Sequence, residues 1–196
     1  MDMQGSRQLA VSQQGVWDAL NDPAVLKQCI PGCEKVEATG ENQYAIGVAV
    51  KIGPVSAKFA GKIRLSDIVA PQSYTIGFEG QGGAAGFGKG EAKVELLPKD
   101  GGTELNYTVH ASVGGKIAQL GQRLIDGAAK GMSEDFFQRF EDYLRVQHPE
   151  AFAAQDAASA ESAAPAPQPA GRSGGIPAWA WALGAAVVLG LIFALR

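Results

Sequence analysis

From Tyr44 to Val113 apolar side chains recur at every second position in run after run, and this period of two restricts the fold more than any other feature. Tyr44, Ile46, Val48, Val50 and Ile52 share one face, and Gly53-Pro54 supplies a turn. Val55, Ala57, Phe59, Ile63 and Leu65 share the face of the next run, and Tyr74, Ile76 and Phe78 that of a third. Gly88, Gly90, Ala92, Val94 and Leu96 come next, then Leu105, Tyr107, Val109, Ala111 and Val113 after the turn Asp100-Gly101-Gly102. Alternation of this kind makes half-buried strands joined by tight turns, so the chain predicts an antiparallel sheet with one apolar face.

Such a face needs a cover, and the flanks supply it. Gly5–Val11 reads as a first strand. Ser12 is placed to cap a helix over Gln13–Leu20, and Asp22-Pro23 to start a second one that ends before Pro31-Gly32. Lys116 to Arg145 reads as one long amphipathic helix with Ile117, Leu120, Leu124, Ala128 and Met132 along a side. The expected order is one strand, two short helices, about six antiparallel strands and a long helix. That is an α+β domain in which a curved sheet grips its last helix. The inward positions Gly88, Gly90 and Ala92 are too small to fill the space beside the helix, which predicts an apolar hollow, unless they mark strand bends or close helix contact. Its expected lining is Tyr44, Phe59, Phe78, Gly88, Gly90, Tyr107, Leu120, Leu124 and Ala128, with Trp17 and Leu26 on the short helices as a lid.

Composition divides the 196 residues into three. Residues 1–148 form the folded unit. Residues 149–175 turn to Ala, Pro, Ser and Gln, too poor in large apolar side chains to offset chain entropy, and read as a flexible linker. Residues 176–196 hold Ile176 to Leu195, twenty positions without a charge, which as a helix span about 30 Å, the thickness of a bilayer core. Trp179 and Trp181 stand near one end and Arg196 closes the other, as in a transmembrane anchor. The opening MDMQGSRQLAVSQQ has no basic stretch followed by an apolar one, so the expectation is a domain facing the cytoplasm from the inner membrane. Cys29 and Cys33 are then reduced thiols.

Several chemistries are excluded. A net charge of −3, from 17 basic and 20 acidic residues, argues against nucleic acid as a partner. Two cysteines and two histidines are too few for a disulfide framework or an ordinary zinc site. Gly83–Gly90, GAAGFGKG, has the spacing of a phosphate-binding loop, but Gly90 stands where Ser or Thr would hold magnesium, and a strand follows instead of a helix. No nucleophile with its base and no carboxylate pair stands out, so no catalytic residues are assigned. Lys58, Lys62 and Arg64 share an outward face, joined by Lys51 and Lys93; this reads as a solvated face or as a surface for anionic headgroups or an acidic partner.

Four blocks in order, VWDALNDPAVLKQCIPGCEKVE, GPVSAKFAGKIRLSDIVAPQSY, GQGGAAGFGKGEAKVELLP and GGKIAQLGQRLIDGAAKGMSEDFF, resemble the family of the carbon monoxide dehydrogenase G protein. That family sits in the START-like (polyketide cyclase/dehydrase and lipid transport) superfamily, and the resemblance covers about Gly5 to Phe140. It implies a helix-grip fold and an accessory role for a molybdenum-containing CO dehydrogenase, or a related hydroxylase, held at the membrane. Because such a dehydrogenase must pass electrons to a membrane chain, a quinone is the expected hydrophobic ligand. Gln119, Gln122 and Arg123, near an expected helix start at Gly114-Gly115-Lys116, are candidate donors to a ring carbonyl, with the loop Gly80–Gly86 and the turn Pro31-Gly32 as gates. A ligand-free scaffold and a cyclase-like enzyme are the alternatives.

Overall fold

The computed structural model describes residues 1–155. Strand β1 (Asp2–Leu9) leads into helices α1 (Gln13–Leu20) and α2 (Pro23–Cys29). Six strands follow: β2 (Cys33–Gly40), β3 (Gln43–Ile52), β4 (Val55–Val69), β5 (Ser73–Gln81), β6 (Phe87–Lys99) and β7 (Gly102–Gly114). Helix α3 (Gln122–Gln147) comes last, after short 3₁₀ turns at Gly83–Ala85 and Ala118–Leu120. All seven strands form one antiparallel sheet in the order β1-β7-β6-β5-β4-β3-β2. Neighbours in sequence are neighbours in space, except that β1 closes onto β7.

Local chemistry explains the starts and stops. Ser12 Oγ accepts from the Gly15 N–H at 3.4 Å, and Asp22 Oδ1 accepts from the Ala24 N–H at 2.8 Å, with Pro23 in the first turn. Gly32 has φ +70°, where a Cβ would run into the Ala49 carbonyl, and the Ala49 N–H donates to the Gly32 carbonyl at 2.8 Å. The Pro31-Gly32 turn is therefore tied to β3.

The long helix begins later than the periodicity suggests. Gly115 and Gly121 both take left-handed backbone, at φ +86° and +89°, and the segment between them forms a separate turn. The Ile117 N–H donates to the Ala85 carbonyl at 2.9 Å, and buried Ile117 fixes this segment against the Gly83–Ala85 turn. The gripping face of α3 also lies elsewhere. Its buried residues are Ile125, Phe137, Phe140 and Leu144, whereas Leu124 is 43% exposed and lies over Gly53 in the β3–β4 hairpin. Aromatic side chains in the second half of the helix fill the sheet; the small and aliphatic stripe of the first half does not.

Phe140 and Leu144 pack into a core with Leu9, Val16, Leu20, Val25, Cys29, Leu96 and Leu105. Buried Thr103 donates its hydroxyl to the Val11 carbonyl at 2.7 Å, which ties the end of β1 to the start of β7. The packed unit continues past the expected boundary at 148. Residues 149–155 are helical, and Phe152 is 2% exposed in the same core, with the Arg145 guanidinium 4.4 Å from its ring centroid. The rest of the expected linker and the expected anchor at 176–196 lie outside the described residues. Among the described residues no helix is long and apolar enough to cross a membrane.

Phe152→Ala is expected to destabilise the domain by about 3 kcal/mol, the cost of emptying a buried aromatic site, read as a lowered urea midpoint at unchanged slope. Ending the chain at residue 148 should cost at least as much.

Candidate functional site

The sheet and helix enclose a hollow of about 270 Å³. Its floor is the inward face of the middle strands: Ile63 and Leu65 on β4, Tyr74 and Ile76 on β5, Ala92 and Val94 on β6, and Tyr107 and Val109 on β7. Tyr44 and Ile46 on β3 close one side, Leu26 and Ile30 at α2 another, and Ser133, Phe136 and Phe137 on α3 form the roof. The register explains the floor, because Leu65, Ile76, Ala92 and Val109 pair in one continuous row. At this row the sheet offers only a methyl group on β6. Space remains there because no helix side chain reaches it.

No residue that lines the hollow is a Lys, Arg, His, Asp or Glu. Its polar side chains are Asn21, Tyr44, Tyr74, Tyr107 and Ser133. Asn21 Nδ2 donates to the Trp17 carbonyl at 2.8 Å, and the Tyr107 and Ser133 hydroxyls lie 3.2 Å apart as a hydrogen-bonded pair. Tyr74 is 5% exposed, and Trp17 meets its ring edge-on at 5.3 Å between centroids. Burial holds the Tyr74 phenol well above its ordinary pKa, with Tyr44 adding to the shift, so the group stays neutral at physiological pH.

Of the residues expected to line the site, Leu26, Tyr44 and Tyr107 do so. Trp17 stands behind Tyr74 and supports it without lining the hollow. Phe59, Phe78, Gly88, Gly90, Leu120, Leu124 and Ala128 lie outside it. Phe59 packs beneath Gly82 at the far end of the sheet, and the Phe78 ring covers Gly90. Gly90 leaves no vacancy: a Cβ there would overlap the His110 carbonyl and the Ala111 backbone on β7 as well as the Phe78 ring. It is a place of close strand approach. Gly88 faces open space, with nothing within 4 Å of a Cβ.

The expected donors are placed elsewhere too. Gln122 donates to Asp126 at 2.6 Å on the exposed side of α3, and Arg123 is exposed. The Gly80–Gly86 loop is tied by a bond from the Gly82 N–H to the Gly86 carbonyl at 2.8 Å. On the outer face, Lys62 opposes Glu79, which opposes Lys89, and Lys58 pairs with Glu34 at 2.7 Å, so the face is of mixed sign and not a basic patch. His110 Nδ1 lies 2.6 Å from Asp2 Oδ1, an exposed pair that holds the Asp2 carboxyl below its usual range.

Met3, Asn21, Ile30, Val36, Ser133, Phe136 and Phe137 complete parts of the wall that periodicity does not suggest. The aromatic spacing Phe136, Phe137, Phe140 and Tyr143 is the available signal for the roof.

A curved antiparallel sheet closed by a C-terminal helix over an uncharged hollow defines the class: a helix-grip protein with an internal apolar cavity. Residues 5–145 match the CoxG family, that of the G protein of carbon monoxide dehydrogenase, and the chain belongs to that family. A conserved protein from Geobacillus kaustophilus is 36% identical, with a TM-score of 0.71 over 74% of this chain and 96% of that one. The Zhui aromatase/cyclase from Streptomyces sp. R1128 shares the fold at 14% identity, with a TM-score of 0.56 over 74% of this chain and 95% of its own. Ara h 8.0201, also 14% identical, gives 0.54 over 74% and 98%. No curated protein matches the sequence.

Two measurements check this geometry. Gly90→Ala should lower stability by about 2 kcal/mol or more through the backbone overlap, while Gly88→Ala should lie within about 0.5 kcal/mol of the native chain, both read by thermal melting. Cys29 is fully buried and its thiol is pushed up to about 11 by desolvation, so at pH 8 it is a neutral, covered thiol. Iodoacetamide is expected to modify half-buried Cys33 and to reach Cys29 only after denaturation, as seen by peptide mass spectrometry.

Proposed function

We propose that this protein is a non-enzymatic, membrane-tethered accessory of a molybdenum-containing CO dehydrogenase or a related hydroxylase, and that its hollow binds a hydrophobic ligand such as a quinone. The observation that carries the reading is the uncharged hollow in a chain of the CoxG family. A site with an apolar wall and a few neutral hydroxyls suits a flat ring with carbonyl groups. At about 270 Å³ the hollow is near the lower end of ligand-site volumes, so it takes the ring and the first part of a chain, and a long isoprenoid tail extends beyond it.

The sequence supports the tether. Twenty uncharged residues, Ile176 to Leu195, stand behind a stretch rich in Ala and Pro, in keeping with a domain held at the cytoplasmic face of the inner membrane. A ring released into water would expose its tail at about 0.8 kcal/mol per CH₂, and a tether that keeps the domain beside the bilayer avoids that exposure. The absence of a carboxylate or imidazole from the lining supports a binding role over a cyclase-like one, because proton transfer would fall to tyrosines that stay neutral. The existence of the hollow favours a binder over a ligand-free scaffold.

The full chain is expected to sediment with membranes and to resist alkaline carbonate, while a chain ending at residue 155 stays in the soluble fraction. Organic extraction of the full chain purified from its native membranes should release a neutral, ring-bearing lipid identifiable by mass spectrometry. Recovery of none would return the protein to the scaffold reading.

A further inference from the structure

The hollow contains five polar side chains, and three of them are already satisfied. Asn21 is spent on the Trp17 carbonyl, and Tyr107 and Ser133 on each other. Tyr44 and Tyr74 remain, and neither hydroxyl has a hydrogen-bond partner in the protein. Tyr74 is the telling one because the residue is 5% exposed. A hydroxyl sealed away without a partner is costly, and among the described residues no side-chain oxygen or nitrogen is both sealed and unpaired. The Tyr74 oxygen therefore keeps accessible surface, and the hollow that Tyr74 lines is where it has it.

We propose that the Tyr74 hydroxyl, seconded by Tyr44, is the specificity-determining contact of the hollow, and that its ligand is an uncharged ring compound presenting a carbonyl oxygen. The inference rests on reading the hollow as a ligand site and names what that site selects. Three chemistries compete for an apolar space of this kind. A carboxylate would be desolvated with no lining cation to pair with it. A plain hydrocarbon would fill the space but leave the phenol without an acceptor. A neutral carbonyl accepts the Tyr74 O–H and brings no charge. The donor is held ready: Trp17 fixes the Tyr74 ring from behind, edge to face at 80°, so little side-chain freedom is lost when the hydrogen bond forms. This moves recognition from the start of α3, where Gln122 is engaged by Asp126, to the floor of the sheet.

The test compares two probes of the same ring and methyl pattern. Duroquinone is fully methylated and so does not add to the Cys33 thiol; durene carries the same four methyl groups without carbonyls. Each is equilibrated by dialysis against the full chain, with equal detergent on both sides. The native chain is expected to hold duroquinone about fivefold or more tightly relative to durene, the effect of one neutral hydrogen bond. Tyr74→Phe should abolish most of that preference and Tyr44→Phe part of it, with durene binding unchanged. Because the lost hydroxyl has no partner in the protein, Tyr74→Phe should also leave the thermal midpoint unchanged or raised, which a structural role for the hydroxyl would not. Equal binding of the two probes, a preference that survives Tyr74→Phe, or a fall in both affinities with a lowered midpoint would each overturn the proposal while leaving the hollow as a binding site. Failure of either probe to bind the native chain would overturn the ligand-site reading itself, and this proposal with it.

Discussion

The rest of the domain depends on where α3 is clamped. Phe140 and Leu144 lock against Leu9, Leu96 and Leu105 with the short helices packed alongside, and at this filled end the helix grips the sheet closely. Burying a large apolar side chain contributes about 1.5–3 kcal/mol, so a handful of such residues can anchor the helix at one end. The sheet then curves away from the helix toward its middle, and side chains that would meet in a solid core instead face a gap. The hollow follows from one-sided packing: the same aromatic ladder that fastens the helix supplies its roof at Phe136 and Phe137.

Much of this order is legible in the sequence, because period-two alternation and cap residues are local signals. The seven strands and both short helices fall where Tyr44–Ile52, Leu105–Val113, Ser12 and Asp22-Pro23 place them. What local pattern does not encode is distance between elements. Gly90 and Ala92 have the same parity and nearly the same size, yet one is pressed against the neighbouring strand and the other borders open volume. That difference is set by how closely β6 approaches β7, which no single strand records. The face of α3 escapes the pattern for a related reason. An aliphatic stripe and an aromatic stripe both fit helical spacing, and only the sheet's curvature decides which one meets it. Phe152 is hidden because a composition shift at Pro149 resembles a domain boundary, while one aromatic residue beyond it belongs to the core.

The chemistry of the hollow matches the family to which the chain belongs in a way that neither would supply alone. Fold likeness at 14% identity to a cyclase says only that the two chains share a helix-grip architecture. Here the interior is lined without charge, the buried phenol stays neutral, and no acid–base pair is brought together. Family membership points to a redox enzyme as the partner. The two together favour holding and release over transformation.

The closure of β1 onto β7 has a consequence for how the chain comes into being. Asp2 pairs with His110, 108 positions away, whereas every other strand pair joins neighbours through a short turn. During synthesis the β2-to-β7 hairpins can form one after another as they leave the ribosome. The first thirty residues cannot: their sheet partner β7 and their core partners Phe140, Leu144 and Phe152 are all made later. Leu9, Val16 and Val25 must therefore wait, solvent-exposed, through most of translation. A chaperone that shelters nascent chains would find its target at this amino-terminal segment, made first and buried last.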